Sequence, residues 1–174
     1  MRFWLLDGIT SYAPGKFLEG YKQLTLGEEY LAEHFPTFPV MPGVLMLEAL
    51  VQAGAWLIRL SEDFTHSVVV LRQAKGIKYG NFVQPGERLC VRVDLASAQW
   101  PNVMDLVWLK AQGTVNGTQT VSARIGLARY NLADLSSDQA ELDAELKKVY
   151  RRVLSQLLRR PAAESGKTLG NLRQ

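Results

Sequence analysis

Through RLCVRVDLA the chain alternates with a period of two. Leu89, Val91, Val93 and Leu95 fall on one face, and Arg88, Cys90, Arg92 and Asp94 on the other, the pattern of a half-buried strand. Similar reasoning predicts strands over RFWLLDGI, near 16–25, and near 67–78, 87–98, 104–115 and 118–130. Pro14-Gly15 marks the first turn, and Asn116-Gly117 predicts a tight hairpin, because both residues tolerate the positive φ of a type I′ turn. The period changes over 43–60, an apolar helix, and again over 136–160, where Leu142, Leu146, Val149, Val153 and Leu157 form one stripe. Ser136 with Gln139 suggests a capping box there, with acids gathered at the start of the helix and bases at its end. GEEYLAEHF reads as a short polar helix or turn. PAAESGKTLGNLRQ, after residue 160, has no periodicity and is expected to be disordered.

A helix apolar nearly all round must be covered on most sides. The economical solution is an α+β arrangement, an antiparallel sheet curled around the 43–60 helix with the second helix packed outside. The expected division is a domain over 1–133, an amphipathic helix over 134–160 and a basic tail over 161–174. A length of 174 residues suits one core-forming domain, and 47% hydrophobic with 21% charged residues is ordinary for a soluble protein. The single cysteine, Cys90, excludes an intrachain disulfide and reads as an inert small hydrophobe. The apolar start is too short for a signal peptide core, and no membrane span is expected, so the protein is expected in the cytoplasm.

Charge is unevenly spread. Residues 147–174 hold eight Lys or Arg against Glu164 alone, which leaves 12 bases and 16 acids in the rest. A basic end on an acidic body suggests an acidic partner, a membrane surface or nucleic acid, or otherwise a solvated helix face with a frayed tail.

The chemistry concentrates in HFPTFPVMPGVLMLEALVQ, residues 34–52. Prolines at 36, 39 and 42 hold the path extended, and Pro42 suits the first helical position. Gly43 leaves the helix N-terminus bare, so that its N–H groups could meet an oxyanion. Glu48 and Gln52 share a helix face in an otherwise apolar run. An ionised carboxylate there is costly unless paired, so Glu48 is either a proton donor or part of a structural hydrogen-bond network. His34, pinned by the prolines, is the second candidate. His66 lacks such a context and reads as a solvated loop residue. No residues have metal-ligand spacing, and GxSxG, P-loop and GxGxxG motifs are absent.

HFPTFPVMPGVLMLEALVQAGAWL resembles the signature of the β-hydroxyacyl-acyl carrier protein dehydratases of the FabZ type, HFPxxPVMPGVLxxEAxxQ. RFWLLD with APGK, and VQPGE, resemble its flanks. The resemblance covers about residues 1–130 and leaves 135–174 as an addition. Glu33 stands where the family commonly has glycine. The resemblance implies a hotdog fold and dehydration of (3R)-hydroxyacyl thioesters to trans-2-enoyl thioesters in fatty acid biosynthesis. His34 and Glu48 would be the catalytic pair, the Gly43 N–H would meet the thioester oxygen, and Gln52 would orient the site. No metal or diffusible cofactor would be needed, because the substrate arrives on the phosphopantetheine of acyl carrier protein. The implied assembly is a homodimer whose sites take histidine from one subunit and the acid from the other, with a trimer of dimers among the larger forms. Lys147, Lys148, Arg151 and Arg152 are candidates for docking the carrier, and no nucleic acid is expected as a partner. Two alternatives are another hotdog acyl-thioester enzyme, an isomerase or thioesterase, and a non-catalytic carrier-binding subunit. Isomerising relatives typically carry aspartate at the Glu48 position.

Overall fold

A computed structural model describes residues 4–35, 37–97, 99–102 and 105–158. The tail over 161–174, expected to be disordered, lies outside the described residues. Six strands form one antiparallel sheet: β1 (Gly8–Ala13), β2 (Phe17–Gln23), β3 (Val68–Tyr79), β4 (Arg88–Leu95), β5 (Val107–Val115) and β6 (Thr118–Tyr130), in the order β1-β2-β4-β5-β6-β3. The sheet curls around α1 (Gly43–Ser61), which touches β2 through β6. This is the hotdog fold.

The alternation in β4 acts as the sequence suggests. Leu89, Val91 and Val93 are buried, while Arg88 and Cys90 are exposed. Cys90 thus stands on the solvent face, and its free thiol is not a core hydrophobe. Asn116 and Gly117 have φ of 50° and 80°, as the hairpin between β5 and β6 requires. The sheet comes so near α1 that a Cβ at Gly54 would lie 2.6 Å from Leu109 Cδ1 and 2.9 Å from Leu127 Cδ1. Helix α1 is apolar and long enough to cross a membrane, yet 61% of its apolar window is buried in this fold.

Several expected boundaries move. The first strand starts at Gly8, and Leu5 and Leu6 are buried ahead of it without strand pairing. Pro42 is the N-cap of α1, one place before the helix. Helix α2 (Ala140–Leu157) follows two short 3₁₀ turns, and Ser136 with Gln139 forms no capping box. The box forms earlier, between Asn131 and Asp134. Leu142 is exposed, and Asp143 takes the buried position at that end of α2. The Asp143 carboxylate accepts hydrogen bonds from Ser67 Oγ and from the N–H groups of Leu132 (2.8 Å) and Ala133 (2.9 Å). Three donors from two other segments converge on this one carboxylate and latch the start of α2. Acids do open α2, but its last described turn carries no base.

His66 is also corrected: it is buried, with Nδ1 2.9 Å from Glu62 Oε2. Glu62 gathers Arg129 and Trp100 as well, at 2.5 and 2.9 Å from its Oε1. Residues brought together from α1, β6 and the β4–β5 connection could not be matched from spacing alone.

Candidate active site

Helix α1 begins where the proline-flanked approach ends. Val40 and Met41 are buried, and the Met41 N–H donates to the Val83 carbonyl at 2.9 Å. This fixes the entry angle of the helix. The Pro42 carbonyl accepts the N–H groups of Leu45 and Met46, whereas those of Gly43 and Val44 meet no acceptor among the described residues. The Tyr79 ring covers Gly43. A Cβ at Gly43 would stand 3.1 Å from its Cε1, so a side chain there would push the ring away.

His34 lies just before this entry, half-buried, with its ring 4.6 Å from that of Phe35. Phe35 has φ of 50°, so the residue before Pro36 is left-handed rather than extended. For a bulky aromatic this is a strained conformation, held by the surrounding structure. The Phe35 carbonyl accepts the Phe38 N–H at 2.8 Å and closes the turn. Phe38 packs edge-on against Phe82, just beyond β3. Phe35, Phe38, Tyr79 and Phe82 are all exposed. The His34 loop therefore borders an apolar surface at the open edge of β3, which among the described residues pairs with β6 alone.

Glu48 and Gln52 meet as their spacing predicts. Gln52 Nε2 donates to Glu48 Oε1 at 3.0 Å, and Gln52 Oε1 accepts the Leu5 N–H at 2.9 Å. The backbone donor settles the orientation of the amide: oxygen toward Leu5, nitrogen toward Glu48. Glu48 is half-buried in the protomer, not enclosed as the apolar run suggests. It lines a cleft of about 480 Å³ between α1 and α2, with Trp4, Trp56, Arg59, Val69 and Tyr150 among the other walls. No hydrogen bond or ion pair joins His34 to Glu48 among the described residues of the one protomer.

The four basic candidates of α2 are not equivalent. Arg151 packs over the Phe64 ring at 5.0 Å and donates to the Asp63 carbonyl at 3.1 Å, which ties α2 to the end of α1. Lys148 faces Glu145 at 3.8 Å on the surface, and Arg152 is exposed. Lys147 is half-buried near Asp143. A second basic patch escaped sequence reasoning. Lys75, Lys78, Lys110 and Arg124 converge on a depression of about 660 Å³ on the sheet. They come from three strands, so only the register of β3, β5 and β6 unites them. Arg59 was missed too, near the end of the 43–60 apolar helix. Among the described residues, no group of three His, Cys, Asp or Glu side chains is placed to hold a metal.

A family model described as the FabA-like domain matches residues 1–124. A 3-hydroxyacyl-[acyl-carrier-protein] dehydratase FabZ of Thioalkalivibrio sulfidiphilus is 37% identical over 130 residues, 71% of this chain and 84% of that protein. The enzyme of the same name from Clostridium acetobutylicum is 34% identical over 121 residues, 70% of this chain and 83% of its own. With that of Nitratidesulfovibrio vulgaris the identity is 39% over 89 residues, 50% of this chain, and the match spans only 58% of the relative's length. Among solved structures, the dehydratase heterocomplex ApeI:P of Xenorhabdus doucetiae superposes with a TM-score of 0.60 at 14% identity, covering 79% of this chain and 90% of that one. The smu.793 protein of Streptococcus mutans, bound to acetyl CoA, gives 0.55 at 14%, covering 74% and 92%. At such identities the two structures speak for the fold alone.

Proposed function

The chain belongs to the FabA-like domain family, among its FabZ-type dehydratases, and from that premise we propose that it converts (3R)-hydroxyacyl-acyl carrier protein to trans-2-enoyl-acyl carrier protein in fatty acid biosynthesis. The observation that carries this reading is the Gln52–Glu48 hydrogen bond at the wall of an open cleft. One carboxylate oxygen is held by the amide, and Oε2 is left for a substrate. Such an arrangement suits a proton donor better than a structural ion pair would.

In the proposed reaction His34 takes the α-proton, and the C–H electron pair becomes the new double bond. The C3–O bond breaks as Glu48 protonates the leaving hydroxyl, and water departs. Charge that builds on the thioester oxygen in between meets the Gly43 N–H, aided by the positive end of the α1 dipole. No metal or diffusible cofactor enters these steps. The acyl group would arrive on a phosphopantetheine arm.

The proposed assembly is a homodimer joined along β3, with each site completed by His34 of one chain and Glu48 of the other. The open edge of a 12-residue strand and the exposed aromatic rings beside it support this. The family match ends at residue 124, which supports reading 1–133 as the dehydratase domain and α2 as an addition. A cytoplasmic site of action and docking of the carrier on the basic residues of α2 belong to the same proposal.

The test is turnover of a 3-hydroxybutyryl carrier by the purified chain and by His34→Ala and Glu48→Gln. Each variant should lose roughly 100- to 10,000-fold, as general acid–base groups do, while keeping the wild-type circular dichroism. A folded variant of either kind with undiminished turnover would refute the pair.

A further inference from the structure

Glu48, Gln52, Ala55 and Arg59 recur along α1 at intervals of four, three and four residues. On a 3.6-residue helix such spacing stacks them in one stripe, about 16 Å long by the helical rise. The 480 Å³ cleft follows that stripe, and all four residues line it. At its far end stand Trp56 from α1 and Tyr150 from α2.

Arg59 is only 6% exposed, and its Nε has no hydrogen-bond partner among the described residues. Its guanidinium carbon lies 3.8 Å from the Tyr150 ring centre and 5.5 Å from that of Trp56. These aromatic faces hold a cation without supplying a carboxylate. Burial pushes the guanidinium below its ordinary range, and the charge and hydrogen bonding of the Tyr150 phenol oppose this, a partner that is no carboxylate. Arg129 shows what a structural arginine looks like in this fold. It is equally buried, yet it bonds Glu62 and the carbonyls of Pro101, Asn102 and Asp105. A buried guanidinium without an anionic partner is costly, so a site that keeps one suits an anion brought by a ligand.

We propose that Arg59, with Tyr150 behind it, forms the far end of the acyl cleft and selects thioesters whose acyl chain ends in a carboxylate. The proposal rests on the dehydratase reading only in taking the cleft that starts at Glu48 as the place of the acyl chain. The role of α2 follows from it: the added helix supplies the aromatic wall that closes the cleft and dries the guanidinium.

The experiment uses pairs of saturated acyl N-acetylcysteamine thioesters of equal length, one ending in a carboxylate and the other in a methyl group, over a series of lengths. Lacking the 3-hydroxyl, they cannot be dehydrated, so calorimetric titration of the full chain reads the cleft whatever the reaction. At the best length the carboxylated member should bind roughly 10- to 100-fold more tightly, as a charge-assisted hydrogen bond gives. The ratio should fall toward one in Arg59→Met and partly survive in Arg59→Lys. The 3-hydroxy forms of the same pairs should show the same preference in kcat/KM. Equal binding of the pair by the wild-type chain at every length overturns the proposal, and that readout needs no variant to fold. Equal binding with brisk turnover rejects the role of Arg59 and spares the dehydratase reading. Selective binding without turnover does the reverse.

Discussion

Gln52 holds Glu48 by a 3.0 Å hydrogen bond to Oε1, and is itself held by the Leu5 N–H at 2.9 Å. The carboxylate is thereby positioned from outside its own helix, by the segment that precedes β1. Gln52→Leu should lower kcat by roughly 10-fold or more, because a misplaced general acid loses much of its contribution. It should also cost about 1–3 kcal/mol by leaving the Leu5 N–H without an acceptor. A purely structural Gln52 would lower the melting temperature while leaving kcat and the pH–rate profile of the folded enzyme in place. Both should move.

The proposed sharing of each site across a homodimer predicts complementation. When His34→Ala and Glu48→Gln chains are unfolded together and refolded, about half the dimers should be mixed. One of the two sites in a mixed dimer keeps both native groups, so about a quarter of all sites should regain activity. Mass spectrometry confirms the mixed species. Mixed dimers without recovered turnover would mean that both groups act from one chain.

If the basic face of α2 docks the carrier as proposed, its residues should separate in their effects. Reversing Lys148 and Arg152, which are exposed and, unlike Arg151, do not tie α2 to the end of α1, should raise the KM for carrier-bound substrate and weaken its dependence on salt. A pantetheine thioester should be unaffected. Arg151→Glu should in addition loosen α2, because it breaks contacts to Asp63 and Phe64. Protease cleavage near 132–140 would report that loss.

The Asp143 latch predicts a dependence on pH. Desolvation opposes its charge, but hydrogen bonds from Ser67, Ala133 and Leu132, with Lys147 nearby, hold the carboxyl below the usual carboxylate range. A depressed folded value means that this stabilisation is fully present above the unfolded value and is lost as pH falls through the folded one. Docking of α2 should therefore persist through pH 5 and weaken only in stronger acid, below about pH 4. Hydrogen exchange at the Leu132 and Ala133 amides reads it. In Asp143→Asn both amides should exchange faster at neutral pH, and this acid-dependent step should vanish.

Gly54→Ala tests the closeness of helix and sheet. The new methyl would crowd the tips of Leu109, Leu127 and Ile125 in a fully packed interior. The expected loss is about 1–3 kcal/mol, as for other overpacked cores, read as a lower denaturant midpoint. An unchanged midpoint would show that the leucines can turn aside.

Local patterns determined the elements of this protein. Period-two alternation in β4, the apolar run of α1 and the Asn116-Gly117 turn need only neighbours in the chain to act, and each stands where its pattern put it. The Glu48–Gln52 bond was legible for the same reason, since four residues apart on a helix is already a contact. Tertiary structure alone decided what distant segments bring to one another. The buried state of His66, the Asp143 latch, the left-handed Phe35 and the strand-borne basic patch all depend on partners that sequence spacing does not specify. Arg59 is the clearest case. On the helix it reads as the polar end of an apolar run, and only the return of the chain through α2, laying Tyr150 across it, turns it into a buried charge facing a cleft. A helix sets which residues share a face, and the long-range packing sets what that face meets.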